Sequence, residues 1–313
     1  MLTLMLALQP KKTYGCSMTT ERKPINRLND VLMKYVFADN ERKHITLSLI
    51  NAVFALEGTP PLVDFTFRDR EISPDNMEGK ESQLDILGSC SDGTVVNVEV
   101  QVDRLNSMGK RSLYYWSRLY NQLRRGKPYG ELPRTVCINL LAFNLFTDAE
   151  LSSDWHSCFA VVNKRRPEHL LTEDLEIHFL ELPKWERLRR QKADYSAIDK
   201  WLAYFSRSTT PEQMEELAMS EAIIRDALQA EHRFMQDPNL VTAYDQAEKA
   251  RLDRIAREEY LLDQGRKEGL EEGQHTGIRK VALTMLGMNM PIDEIVAITG
   301  LPQSEIMELQ KGS

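Results

Sequence analysis

The sequence lacks the patterns that define several large classes of protein. Its apolar runs all fall short of the roughly 18 residues that span a bilayer, so we expect no association with a membrane. It contains neither a G-x-x-x-x-G-K-[ST] phosphate loop nor a G-x-G-x-x-G motif, so we expect no nucleotide cofactor. What remains has the composition of a folded globular protein, with 28% charged side chains among 313 residues.

Cysteine and histidine are scarce and scattered. The four cysteines are widely spaced and include no C-x-x-C pair, which argues against a zinc signature and a disulfide framework and favours a reduced, cytoplasmic setting. We expect the six histidines to make no cluster. His156 and His178 fall in strand-like segments, and we predict that they are structural rather than metal ligands.

Charge is distributed unevenly along the chain. Residues 1–190 carry a net charge of +1 and residues 191–313 a net charge of −8, which suggests two parts with different partners. Within the first part, the segment 104–130 has seven basic residues and no acidic one. If the protein binds a polyanion such as DNA, we expect it to do so at this segment.

The chain is predicted to contain a mixed half followed by a helical half. Residues 1–24 are expected to form a flexible N-terminus, with Met18 as the natural start. Residues 25–190 contain two helical stretches and several strand-like runs with a crossover helix between them, which indicates an α/β domain. The remainder shows helical patterns alone, and we divide it into a region 191–277 and a small helical module 278–313.

A predicted hairpin brings two acidic residues together. Its strands flank a Ser-Asp-Gly turn, and with Gly93 in the left-handed conformation Asp85 lies directly opposite Glu99. The two β-carbons are then about 4.5–5.5 Å apart on one face, a distance at which two carboxylates repel unless they are neutralised. A hard divalent cation, Mg²⁺ first of all, would neutralise them. The alternative is a solvent-facing hairpin that carries two acids without a shared role.

The predicted helix after the hairpin carries a basic stripe. Arg111, Arg118 and Arg125 recur at intervals of seven residues, and Tyr114 and Tyr115 lie between the first two. Guanidinium groups suit phosphate oxygens, and tyrosine rings stack on bases. The alternative is a solvated basic helix whose aromatic residues pack into the core.

Five blocks of the sequence, in this order and spacing, resemble the recombination-promoting nuclease and transposase family of the PD-(D/E)XK nuclease superfamily. The blocks are residues 29–37, 84–87, 97–101, 110–115 and 123–129. The resemblance implies a restriction-endonuclease-like α/β fold, in which a mixed sheet core with flanking helices is followed by an all-α C-terminal region. It also implies metal-dependent cleavage of DNA.

The same resemblance assigns roles in the site. Asp85 and Glu99 become metal ligands, with the Val100 carbonyl as an additional ligand and Asp30 reaching the ion through water. Gln101 stands where the superfamily usually has lysine and would position the attacking water. Because a neutral amide can only hydrogen-bond, we expect a slower enzyme than a lysine would give, or one that relies more on arginine.

The expected partners follow from these roles. Mg²⁺ is the expected cofactor, with Ca²⁺ or Mn²⁺ as alternatives. DNA is the expected substrate, and its candidate contacts are Arg111, Tyr114, Tyr115, Arg118, Arg125 and Lys127.

The C-terminal half gives two weaker patterns. Glycine recurs at every fourth position from Gly265 to Gly277, although each glycine costs a helix about 1 kcal/mol relative to alanine. Either another helix, such as one from a second copy of the chain, approaches closely there, or the segment is a frayed connector. The module 278–313 resembles a helix-turn-helix, but a net charge of −3 over residues 291–313 favours an interaction module over a DNA reader.

Two functions from different classes follow. The first is a metal-dependent DNA endonuclease linked to recombination or mobile DNA. The second is a catalytically weak or inactive relative that acts as a DNA-binding or protein-interaction module. The presence of Asp85, Glu99 and Gln101 together favours the endonuclease.

Overall fold

The computed structural model describes residues 25–68, 71–72, 82–83, 85–121, 128–149, 151–189 and 195–311. The predicted N-terminal segment 1–24 lies outside this part of the chain, as do Arg125 and Lys127. The chain divides into two compact units, one ending at Tyr244 and one beginning at Asp245. Among the described residues, no helix combines the length and the apolar character needed to cross a membrane.

The first unit contains ten strands and seven complete α-helices among its described residues. The strands are β1 (Phe65–Phe67), β2 (Glu71–Ile72), β3 (Ser82–Gln83), β4 (Ile86–Cys90), β5 (Val95–Gln101), β6 (Thr135–Leu141), β7 (His156–Phe159), β8 (Val162–Asn163), β9 (Arg166–Leu170) and β10 (Leu175–Glu181). The helices are α1 (Asp30–Phe37), α2 (Lys43–Phe54), α3 (Met108–Tyr120), α4 (Leu182–Arg189), α5 (Ala197–Phe205), α6 (Pro211–Ser220) and α7 (Ala222–Gln236).

Six of these strands form a mixed sheet in the order β1-β4-β5-β6-β10-β7. The pairs β5/β6 and β6/β10 are parallel and the other pairs are antiparallel. Because parallel neighbours need a crossover connection, the chain passes from β5 to β6 through α3. The predicted α/β class, with a mixed sheet core, flanking helices and an all-α C-terminal region, is confirmed.

Each face of the sheet packs against its own helices. Alternating valines of β5, including Val96 and Val98, point into a large core formed with α1, α2, α5 and α7. The opposite face packs against α3 through a smaller core that includes Tyr115 and Leu119. Helices beyond residue 190 therefore contribute to the core of the first unit, while the domain boundaries at 190 and 277 stay predictions.

The hairpin forms in the predicted register. Ile86 pairs with Val98 and Leu87 with Asn97, so Asp85 comes directly before the paired segment, opposite Glu99. Gly93 has φ +90°, the left-handed conformation that the three-residue turn requires. Strand β2 falls in a segment that the sequence predicts as a loop, and no sequence pattern predicts β9. All five of its residues are exposed, so it shows none of the alternation that marks a half-buried strand.

The second unit contains a long helix and two short ones. Helix α8 (Pro238–Gly287) begins within the first unit, and α9 (Ile292–Thr299) and α10 (Gln303–Lys311) follow it. The C-terminal turns of α8 pack with the two short helices around Ala282, Ile295 and Ile306. The four glycines spaced by four residues all lie in α8, and no described residue would come within 4 Å of an added Cβ there. Assembly through these helices stays a prediction.

Gly88 in β4 provides a test of the sheet packing. An alanine Cβ at this position would lie 2.2 Å from Cζ of Phe65, whose ring covers the glycine from β1. We expect Gly88→Ala to lower the free energy of unfolding by about 1–3 kcal/mol, because an overpacked core must shift side chains or backbone. Urea denaturation followed by circular dichroism measures this change. Gly109→Ala, in open space on α3, is the control, and an equal effect of the two variants would contradict the packing argument.

Candidate metal and nucleic-acid site

Two acidic side chains lie at the end of the hairpin, on the face of the sheet that packs against α3. Glu99 is a central residue of β5, and its side chain is 5% exposed. Asp85 comes directly before β4, and its side chain is 17% exposed. The sheet register therefore places the two carboxylates opposite each other, as the hairpin pattern predicts, and the structure shows that both are largely buried.

Backbone amides fix the two carboxylates reciprocally. The Val100 amide donates to Asp85 Oδ2 at 2.8 Å, and the Asp85 amide donates to Glu99 Oε1 at 3.3 Å. Asn97 Nδ2, on the same face of β5, also donates to Glu99 Oε1 at 3.3 Å. Each carboxylate thus accepts a backbone N–H from the opposite side of the hairpin, and Glu99 also accepts from Asn97 of its own strand, which limits the rotation of both side chains.

Burial makes it energetically unfavourable for Asp85 and Glu99 to be ionised together. Desolvation raises the pKa of Glu99 above the range usual for glutamate, and the charge of Asp85 raises it further, although Arg111 opposes the shift. Desolvation also raises the pKa of Asp85, against the stabilising hydrogen bond from the Val100 amide. The folded state therefore favours a bound proton or a cation at this position, and carboxylate oxygens are the ligands that Mg²⁺ prefers. The donor set fits such an ion.

Helix α1 brings a third acidic residue and a lysine to the pair. Asp30, in the first turn of α1, contacts the Asp85 carboxyl group and raises its pKa. Lys34, one turn later, lies 2.7 Å from Asp30 Oδ1 and 3.9 Å from Asp85 Oδ1. The sequence interpretation gave Lys34 no role, and the only local signal for one is its position four residues after Asp30.

The N-terminus of α1 is itself anchored. The Asn29 side chain caps the helix by accepting from the Val31 and Leu32 amides. Arg27, just before it, pairs with Glu231 of α7 at 2.6 Å. These contacts fix the turn that carries Asp30, so the third carboxylate reaches the hairpin from an ordered helix end.

Gln101 and Arg111 meet beside Glu99. Arg111 Nη1 donates to Gln101 Oε1 at 3.4 Å, and its Nη2 lies 3.7 Å from Glu99 Oε2. Gln101 Nε2 donates to the Asp103 carbonyl at 3.1 Å, which orients the amide. The residues predicted for catalysis therefore converge with the first arginine of the basic stripe.

The α3 side chains divide between the core and the surface. Tyr114 is 44% exposed, whereas Tyr115 is 8% exposed and lies in the core on this face of the sheet. The Arg111 guanidinium lies over the Tyr115 ring, 5.1 Å from its centre. Tyr115 therefore supports Arg111 from beneath and is not available to stack on a base, contrary to its place among the candidate DNA contacts. Arg118 is half-buried on the same helix.

A second cluster lies on the opposite face of the sheet. His156 Nε2 and His178 Nδ1 are 3.1 Å apart, and Cys158 Sγ lies 3.8 Å from His178 Nε2. The expectation that the histidines make no cluster is wrong for this pair, because the antiparallel pairing of β7 with β10 joins residues about 20 positions apart.

The mixed six-stranded sheet with flanking helices, which carries the acidic pair, is consistent with a nuclease-like α/β fold. A family model for PD-(D/E)XK nuclease family transposases matches residues 27–260, and the chain belongs to this family. No curated protein and no solved structure matches the chain significantly.

The raised pKa values predict how stability depends on pH. The pKa values of Asp85 and Glu99 in the folded protein exceed their unfolded values near 4. The metal-free folded state therefore binds protons more tightly than the unfolded state, and its free energy of unfolding falls as the pH rises from about 4 to about 8. We expect Glu99→Gln to flatten this dependence and to raise the free energy of unfolding at pH 8 by about 1–3 kcal/mol.

Urea denaturation in the presence of EDTA measures this effect. Glu41→Gln removes an exposed carboxylate and is the matched control. A pH dependence that is the same in Glu99→Gln and in the wild-type protein would show that the buried acid does not destabilise the fold.

Proposed function

We propose that this protein is a Mg²⁺-dependent DNA endonuclease that acts in recombination or on mobile DNA. The observation that carries the proposal is the reciprocal fixation of two buried carboxylates, Asp85 and Glu99, beside Arg111. Membership of a nuclease-type transposase family supports DNA as the substrate. The free cysteines among the described residues are compatible with a reduced, cytoplasmic site of action.

The metal would be held by Asp85, Glu99 and the Val100 carbonyl, and Asp30 would reach it through water. When bound, such an ion activates water and stabilises charge on a phosphoryl centre. Ca²⁺ or Mn²⁺ would use the same oxygen ligands. The backbone hydrogen bonds to both carboxylates place these oxygens before the substrate arrives.

Gln101 would orient the attacking water. One hydrogen of its Nε2 group is donated to the Asp103 carbonyl, which leaves the second for a water molecule. Arg111 and Lys34 supply the positive charge that a neutral glutamine cannot, because they lie 3.7 Å from Glu99 and 3.9 Å from Asp85 respectively.

The exposed face of α3 would bind the DNA backbone. Arg118 and Tyr114 extend the basic surface away from the carboxylates, and Arg125 and Lys127 follow in the sequence. Contacts of this kind fix the position of a duplex without reading its sequence, so target choice would depend on other residues.

Cleavage of supercoiled plasmid tests the proposal directly. With Mg²⁺ we expect nicked or linear product from the wild-type protein, and none with EDTA or with Asp85→Ala. We expect Arg111→Ala to lower kcat on the order of 10²-fold, since it removes a fixed positive group beside the reacting centre. Lys110→Ala, which removes the same charge from the exposed neighbouring position, is the matched control and should alter binding alone.

Failure to cleave DNA would favour the second class of function. If the wild-type protein retains DNA in a salt-sensitive manner but cuts none with Mg²⁺, Ca²⁺ or Mn²⁺, the endonuclease proposal is wrong. The inactive DNA-binding relative would then be the better description.

The role of Gln101 has its own test. We expect Gln101→Ala to lower the single-turnover cleavage rate on the order of tenfold, because the water loses a fixed hydrogen-bond donor. The dissociation constant for DNA, measured by fluorescence anisotropy, should stay unchanged. An unaltered cleavage rate would remove Gln101 from the mechanism.

A further inference from the structure

The cluster on the opposite face of the sheet combines the ligand types of a zinc site. One carboxylate oxygen of Glu57, the Cys158 sulfur and one ring nitrogen of His178 all lie within 4.8 Å of one another. Sulfur, imidazole nitrogen and carboxylate oxygen together suit Zn²⁺ and other borderline divalent metals rather than Mg²⁺. We propose that Glu57, Cys158 and His178 bind such an ion, Zn²⁺ first of all, at a site separate from the Asp85–Glu99 pair.

The sheet register explains why these side chains meet. Cys158 in β7 pairs directly with His178 in β10, so their side chains stand on the same face. His178 is also paired with Ile138, and Ile138 with Val98, which places the cluster on the face opposite Glu99. Glu57 ends the short 3₁₀ turn that follows α2 and reaches the cluster from the helical layer.

The distances select the ligating atom of His178. A tetrahedral ion bound to sulfur at about 2.3 Å and to nitrogen at about 2.0 Å holds the two ligand atoms about 3.5 Å apart. His178 Nε2 lies 3.8 Å from Cys158 Sγ, close to this value. His178 Nδ1 is already engaged with His156 Nε2 at 3.1 Å. The Nε2 atom is therefore the one that faces the sulfur.

His156 would act as a positioning residue. A metal-binding histidine usually donates its other ring N–H to a neighbouring acceptor, which fixes its tautomer. Here the N–H at Nδ1 of His178 would donate to His156 Nε2, and the planes of the two rings differ by 11°. His156 Nδ1 lies 3.8 Å from Glu57 Oε1, so His156 contacts two of the proposed ligands, His178 and Glu57.

The remaining neighbours are compatible with a cation. Glu176 Oε2 lies 3.4 Å from His178 Nε2 and, together with water, is available for a fourth position. Its other oxygen accepts from Arg134 at 2.7 Å. Burial raises the pKa of the Cys158 thiol to about 12, so formation of the metal–sulfur bond would release the thiol proton to solvent. Glu57 is 40% exposed, which leaves the site open to an entering ion.

Cobalt titration of the full-length, untagged protein tests this site without reference to cleavage. A thiolate bound to Co²⁺ gives a charge-transfer absorption band in the near ultraviolet that carboxylate ligands alone do not give. After treatment with EDTA and removal of the chelator, we expect one equivalent of Co²⁺ to produce this band and Zn²⁺ to abolish it. Absence of the band from the wild-type protein would overturn the proposal, whatever the variants do.

Variants distinguish this site from others in the chain. We expect Cys158→Ser and His178→Gln to lose the band, and Cys90→Ser and Asp85→Asn to retain it. His156→Gln should retain the band while the metal dissociation constant rises by about 10–100-fold, the range expected for loss of an outer-shell partner. A band that persists in Cys158→Ser, or that disappears in Asp85→Asn while the circular dichroism spectrum is unchanged, would contradict the assignment.

Discussion

The pairing of β4 with β5 in a single register is the constraint on which both the core and the candidate site depend. Side chains alternate between the two faces of a strand, so a slip of one residue would exchange the faces of β5. Val96 and Val98 would then leave the core beneath α1 and α2, and Glu99 would enter it without a partner. The left-handed Gly93 fixes the turn and therefore this register. Apolar packing and carboxylate geometry are determined by the same pairing.

The pairing of β4 with β5 also places two carboxylates close together in the protein interior, which is electrostatically unfavourable. Asp85 and Glu99 are buried close to each other, and burial raises the pKa of both. The fold offsets part of the cost with the Val100 and Asp85 amides and with two cationic side chains, Lys34 and Arg111. Removing charge from such a pair commonly stabilises a protein, so a sequence selected for stability alone would have little reason to retain it. The unfavourable pair is explained if Asp85 and Glu99 together bind a ligand.

The sequence predicted the local parts of this site and missed those that depend on packing. The hairpin register follows from a short turn and two alternating strands, so Asp85 and Glu99 could be placed opposite each other from residue spacing. Lys34 could not be found in this way, because its approach to Asp85 depends on how α1 packs against the sheet. The sequence likewise offered both Tyr114 and Tyr115 as DNA contacts, with packing of the aromatic residues into the core as the alternative. Adjacent helical positions point about 100° apart, and the packing of α3 against the sheet decides that Tyr115 is the buried one.

The charge balance of the site favours a metal and a phosphodiester together over either alone. Counted by formal charge, Asp30, Asp85, Glu99, Lys34 and Arg111 sum to −1, and the raised pKa values of Asp85 and Glu99 favour a bound proton that brings the sum to zero when no cation is present. A phosphodiester brought to this site without a cation would raise the negative charge in a region of low dielectric constant, which is unfavourable. A divalent cation changes the net charge to +1, and one phosphodiester then neutralises it. For the proposed nuclease, binding of the cation would therefore be coupled to loss of a proton from the Asp85–Glu99 pair and would favour the approach of a phosphodiester to Glu99.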